Sequence, residues 1–263
     1  MFRNLTPVVK NLLLINIAMF VVASYFMPQL ERMFALYYVQ SPRFMPTQFL
    51  TYMFMHANFW HLFSNMFGLF IFGPLLEQFL GPKKLLTLWM VCGVGSGLLY
   101  SGYNAYRIGQ LDNQIEAFYA DPSPERFNDF VKDNRHLFKS GVYDFIDDYT
   151  KNPESKSMIQ RAKENYMGIR DIQINIPMVG ASGALFGILI AFAMFFPNTE
   201  LLLLFPPMPV KAKYLVLFYS LYTIYNIINN SPTDNVAHFA HLSGLIIGAG
   251  LVYYWKKNRN NFY

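Results

Sequence analysis

Four side chains able to do chemistry stand in otherwise apolar sequence: Ser182 in "GASGALFG", His241 in "AHLSGLIIG", and His61 and Asn65 in "HLFSN". A serine hydroxyl within about 3 Å of an imidazole nitrogen is an activated nucleophile. His241 would take the proton from Ser182 as it attacks a peptide carbonyl and return it to the leaving amine. His61 and Asn65, with backbone N–H groups near Ser182, would donate to the developing oxyanion. No carboxylate is placed to complete a triad: Glu77 lies roughly 24 Å along a helix from His61, and Asp234 roughly 10 Å above His241, at 1.5 Å per residue. The site would therefore be a dyad. Phe186, one turn beyond Ser182, could press on the imidazole and hold its orientation. His238, one turn nearer the surface than His241 and on roughly the same face, is a rival base that depth alone does not exclude. Each residue also has a plainer reading, since a serine among glycines packs helices and a buried His or Asn often only bonds its neighbours.

The elements that position these groups follow from hydropathy. The chain has 263 residues, of which 54% are hydrophobic, 18% aromatic and only 14% charged. A soluble domain carries about 25% charge, so the composition points to a membrane. Six stretches are near the length of about 20 residues that a span needs: Asn11–Met27, Phe59–Leu80, Leu85–Tyr103, Pro177–Phe196, Tyr214–Ile228 and Val236–Trp255. Arg3 and Lys10 before the first run could also mark a secretory signal, but the aromatic "SYF" after "VVAS" argues for a span. Arg3, Lys10, Lys83, Lys84, Lys211, Lys213, Lys256, Lys257 and Arg259 all fall on one side of a six-span arrangement. By the positive-inside rule that side is cytoplasmic, and both termini face it. The net charge of +5 is thereby explained by topology, and nucleic acid is not expected as a partner.

Spans two, four and six then all run inward from the outer face. Taking Pro177 and Asn235 as outer starts puts Ser182 roughly 8 Å and His241 roughly 9 Å deep, with His61 and Asn65 at the outer end of span two. Strongly polar groups at such a level usually face the bundle interior or a water-filled cavity. Gly183 and Gly187 on span four, and Ala240, Gly244 and Gly248 on span six, are spaced by four and permit close helix contact. A transporter reading expects sites near the bilayer centre and repeated halves, whereas this cluster is shallow and no repeat is evident.

Residues 105–176 form a polar insertion holding ten of the 21 basic and twelve of the 16 acidic residues. "SPERFNDFVKDNRHLFKSG" reads as a capped helix with Ser123 as N-cap, Pro124 at the first position and Gly141 after its end. "VYDFIDDYTK" and "ESKSMIQRAKENYM" read as further helices, so a small helical cap is expected. It supplies no partner for Ser182 or His241, so its removal is expected to leave the chemistry intact. Cys92 is the single cysteine, which excludes an intramolecular disulfide. There is no zinc motif, P-loop or GxGxxG loop.

These residues resemble the rhomboid family of intramembrane serine proteases. "GASG" is similar to its G-x-S-G nucleophile motif, marking Ser182 with Gly180 beside it. "AHLSGLIIG" resembles its A-H-x-x-G-x-x-x-G pattern, which selects His241 over His238 and includes Gly244 and Gly248. "HLFSNMFGLFIFGPLLEQFLG" resembles its H-x-x-x-N span with a later G-x-x-x-E-x-x-x-G, and His56 stands where the family has a structural loop histidine. The resemblance extends over all six spans and excludes the insertion. The Trp-Arg pair common in the family's first loop is absent, with Thr47 and Gln48 near its place, and Phe186 stands where some members have tyrosine. The family's membrane-embedded first loop would correspond to residues 28–58.

The resemblance implies an all-α polytopic membrane protein, a six-helix rhomboid-like bundle with an extracytoplasmic helical insertion between helices three and four. Residues 1–104 and 177–263 would form one rhomboid domain around the 105–176 insertion. It implies an intramembrane serine endopeptidase with Ser182 and His241 as dyad, His61 and Asn65 as oxyanion donors, and Gly180, Phe186, His238 and Gly244 in support. Its substrates would be single-pass membrane proteins cut near the outer leaflet, with neither metal nor cofactor. The alternative is a non-catalytic rhomboid-like protein that binds membrane clients. The expected location is multi-pass in the lipid bilayer, the plasma membrane if the source is bacterial.

Overall fold

The computed structural model describes residues 5–202, 208–229 and 238–258. Arg3, Asp234, Asn235 and Arg259 lie outside the described residues.

Helix α1 (Pro7–Val21) opens on a proline, whose missing N–H costs nothing at a first helical position. It ends in a single π-helical segment, Val22–Phe26. Two short helices, α2 (Gln29–Phe34) and α3 (Gln48–Thr51), lie in the first loop. Helix α4 (Phe59–Leu80) begins where Asn58 Oδ1 accepts the His61 N–H at 2.9 Å, and stops at Gly81 with φ 83°. Helix α5 (Pro82–Ala120) follows at once. After the insertion come α9 (Ser182–Phe195), a hairpin of β1 (Glu200–Leu202) and β2 (Pro209–Lys211), α10 (Ala212–Asn229) and α11 (His238–Lys257). The strands pair antiparallel, Glu200 opposite Lys211. Among the described residues, three helical stretches are long and apolar enough to cross a membrane: Pro7–Phe26, Phe59–Leu80 and Pro82–Ala120.

Helices α5, α9 and α11 pack against one another, α4 lies against α9, α1 covers α4, and α10 lies outermost against α11 and α9. Leu69, Leu76, Leu85, Leu88, Trp89 and Ile188 are fully buried at the centre. The outward faces are also apolar: Phe59, Trp60, Phe63 and Phe67 make a continuous exposed aromatic ladder along α4. Helices apolar on every side belong in lipid or a large core, and an aromatic group at a helix end suits the interface.

Long-range polar contacts set the helix directions. Both oxygens of buried Glu77, near the end of α4, accept the Val8 and Val9 N–H groups at 3.0 and 2.9 Å. These are first-turn donors of α1 that the helix itself cannot satisfy. Lys256 Nζ donates to the Met194 carbonyl at 2.6 Å, doing the same for the last turn of α9. Lys10, Lys83, Lys84, Lys211, Lys213, Lys256 and Lys257 therefore share one end of the bundle.

Two expectations change. The fourth span, expected over Pro177–Phe196, becomes helical only at Ser182. Pro177 has no N–H, Met178 pairs its backbone with Leu36, and Gly180 has φ 122°, so residues before Ala181 cannot join the helix. Its 14 residues reach about 21 Å, less than the roughly 30 Å of hydrocarbon. The third span, expected over Leu85–Tyr103, runs on without a break to Ala120, about 58 Å in all.

That extension supports the insertion. Helices α6 (Pro124–Asp133) and α8 (Lys156–Ile174) pack against α5, and α7 (Gly141–Lys151) packs against α6. Ser123 caps α6 by accepting the Arg126 N–H, as its sequence implies. The helix ends at Asp133, earlier than expected, because the Asn134 side chain bonds back to the Phe130 carbonyl and a 3₁₀ turn follows at Arg135–Leu137. Phe118, Phe127, Phe130, Tyr149 and Tyr166 form a second core, with Phe130 and Tyr166 stacked at 3.8 Å.

Candidate active site

Ser182 is the first residue of α9. Its N–H is therefore one of those a helix leaves without an internal acceptor, at the positive end of the helix dipole. The approach to it is held by the first loop. The Leu36 and Met178 backbones exchange two hydrogen bonds of 2.9 and 2.8 Å, and the Gly180 N–H donates to the Tyr52 carbonyl at 3.0 Å. Gly180 is in the left-handed region, and a Cβ there would stand 2.6 Å from the His61 ring. Only glycine meets both conditions.

Across the helix pair, His241 Nε2 and Ser182 Oγ are 2.7 Å apart. With the ring proton on Nδ1, the hydroxyl donates to Nε2, the arrangement that general-base activation needs. Small residues allow the approach. A Cβ on Gly244 would fall on the Gly183 carbonyl, and one on Gly248 would come within 2.8 Å of the Gly187 Cα. On its other side Gly183 packs against Ser96 of α5, and Gly187 against Cys92. Phe186 stacks on His241 with centroids 4.4 Å apart and planes 9° from parallel.

His238 opens α11 and meets the His241 ring edge-on at 5.9 Å and the Tyr222 ring at 5.8 Å. Of the two histidines left open by depth, His241 is the one bonded to Ser182.

His61 lies against Gly180, two residues before Ser182, with His56 edge-on to it at 5.1 Å. Asn65 is buried, and its amide nitrogen donates to the His61 carbonyl one turn earlier at 3.0 Å. One of its two N–H donors is thus occupied within α4, which leaves one for a ligand.

The loop residues that frame the site have little signal in sequence. Gln48 is fully buried; its Nε2 donates to the carbonyls of Met33 and Arg43 at 3.0 and 2.8 Å, and its Oε1 accepts the Tyr37 N–H at 3.4 Å. Thr51 donates to the Phe34 carbonyl at 2.9 Å. Gln48 thus ties the first loop to itself at three points. The Tyr52 hydroxyl donates to the Gly93 carbonyl at 2.6 Å, tying the loop to α5. Among the described residues, no three His, Cys, Asp or Glu side chains come together in a way that could hold a metal ion.

A family model described as the Rhomboid domain matches residues 43–109 and 155–258. The chain belongs to the rhomboid family. The match begins after the first helix, and it takes in α8 of the insertion while leaving 110–154 outside. It therefore differs from the resemblance read in the sequence, which covers all six spans and none of the insertion. Two similar proteins are from Arabidopsis thaliana. RHOMBOID-like protein 12, mitochondrial, is 34% identical over 74 residues, 28% of this chain and 22% of that protein. Rhomboid-like protein 11, chloroplastic, is 46% identical over 52 residues, 20% of this chain and 19% of that protein. The chain thus spans about a fifth of the length of these curated relatives.

Proposed function

We propose that this rhomboid is an intramembrane serine endopeptidase with Ser182 as nucleophile and His241 as its base. The supporting observation is the 2.7 Å contact between Ser182 Oγ and His241 Nε2, with the ring held by Phe186. Ser182 Oγ attacks a peptide carbonyl while His241 accepts its proton. The tetrahedral oxyanion sits near the Ser182 N–H, with the His61 ring and the remaining Asn65 N–H as further donors. His241 then protonates the leaving amine, and water hydrolyses the acyl-enzyme through the same base.

A helical substrate hides its carbonyls in hydrogen bonds, so the segment cut must be extended or locally unwound. The lysine-rich end faces the cytoplasm, or the matrix or stroma in an organelle. This puts the site and the insertion on the opposite side, and cleavage near that leaflet in a single-pass protein.

Labelling of the purified protein with a fluorophosphonate tests this without a substrate. Wild type and His238→Ala are expected to label, while Ser182→Ala does not and His241→Ala falls by at least roughly 100-fold, the lower end of what a general base contributes. A folded wild type that stays unlabelled beside a reacting control protease would overturn the reading in favour of a client-binding rhomboid.

A further inference from the structure

We propose that the insertion positions the nucleophile, acting through Arg170, which locks α8 to the first loop. The proposal rests on the reading of Ser182 as nucleophile, and it opposes the expectation that the insertion can be lost without effect on the chemistry.

The two connections of the insertion to the bundle are both stiff. Its entry is the unbroken α5 helix. Its exit is the short stretch from the end of α8 at Ile174 to Ser182. A spacer would need only two flexible links.

The exit is pinned to the first loop in four ways. The Leu36 and Met178 backbones pair. Tyr38 is buried within the core of the insertion. Ser41 Oγ donates to Asn175 Oδ1 at 2.8 Å. Arg170 joins three elements: its Nε and Nη2 donate to the two Asp112 oxygens on α5 at 2.6 and 3.3 Å, and Nη2 also donates to Gln40 Oε1 at 2.7 Å. The Arg170 and Asp112 side chains are only 23% and 35% exposed. A planar guanidinium engaging both carboxylate oxygens fixes geometry that a lysine, as a point charge, does not.

The loop so held is the one whose Tyr52 carbonyl holds the Gly180 N–H. A shift of α8 against this loop would therefore reach Gly180 and Ser182 through a few residues already bonded at both ends. A misplacement of about 1 Å from a distant change can cost on the order of 100-fold in rate. The family match includes α8 but omits α6 and α7, which sets the element carrying Arg170 with the Rhomboid domain.

The test uses the full chain in detergent or liposomes. It reads the maximal inactivation rate and apparent affinity for a fluorophosphonate, with amide exchange at Met178 and Gly180. Arg170→Ala is expected to lower the maximal rate at least tenfold, to leave probe affinity within twofold, and to speed exchange at both amides. Arg170→Lys combined with Gln40→Glu restores charge pairing on both sides without the bidentate fork and should recover only part of the rate, a graded rescue that a general loss of stability would not give. Gln40→Leu with Ser41→Ala removes the loop's bonds to Arg170 and Asn175, and should likewise lower the maximal rate and speed exchange, which keeps the test decisive if Arg170→Ala fails to fold. Folded variants with wild-type inactivation rates and unchanged exchange would overturn the proposal. Should wild type itself not label, the nucleophile reading fails, while the exchange measurement still decides whether Arg170 holds the Met178 segment.

Discussion

At the residue scale, the site depends on places where a side chain would not fit. Gly180 carries φ 122° and faces the His61 ring. Gly180→Ala should therefore strain the backbone and displace a proposed oxyanion donor, lowering the labelling rate by about 100-fold, of the size seen when one such donor is removed. Gly244→Ala drives a methyl into the Gly183 carbonyl, and a backbone atom cannot yield as a flexible side chain can. The α9 and α11 helices must separate and lengthen the Ser182–His241 contact, so labelling should fall at least tenfold, together with the unfolding temperature. Gly250 lies on the same helix, and a Cβ there would meet nothing within 4 Å. Gly250→Ala should leave labelling unchanged and stabilise α11 by up to about 1 kcal/mol. Parallel measurement of labelling and thermal unfolding separates close approach from helix propensity.

At the element scale, Glu77 acts on α1 far from the dyad. Glu77→Ala would leave the Val8 and Val9 N–H groups without their acceptor, at about 1–3 kcal/mol each. Thermal unfolding in detergent should show a clear loss of stability and early proteolysis within α1, while the labelling rate of the protein still folded stays near wild type. "GPLLEQFLG" is visible as a motif, yet its function is not, because a carboxylate capping a helix about 70 positions earlier leaves no local trace. The same limit hides Gln48, whose bonds close the first loop on itself. Ser182 and the first turn of α11 can be brought together from sequence because four-residue spacing of small residues permits close helix contact, while the choice of His241 over His238 needs the family resemblance. Helix ends are harder to read. The start of α9 depends on backbone pairing between Leu36 and Met178, which hydropathy does not see. Hydropathy also ends α5 too early, because it drops after Tyr103, although the Ala, Leu, Gln and Glu that follow keep a helix going in water.

At the scale of the whole molecule, charge and packing divide the protein in one direction. Seven lysines gather at the end where α1 begins and α9 and α11 finish, while the opposite end carries the insertion, with ten basic and twelve acidic residues nearly in balance. The short α9 begins at the insertion end, so Ser182 lies below the ends of the longer helices around it, reached by the extended Met178 segment. The proposed orientation of that end follows from the lysines, because short basic loops resist translocation while long polar segments cross largely regardless of their charge. Exposed Lys83 and Ser157 mark the two ends. In a Cys92→Ser background, Lys83→Cys and Ser157→Cys are expected to react with a membrane-impermeant maleimide from opposite sides of intact cells or sealed vesicles, Ser157→Cys from outside. Reaction of Lys83→Cys from outside would reverse the orientation and put cleavage at the inner leaflet. Reaction of both from one side would break the alternation of helix directions that brings Ser182 and His241 together.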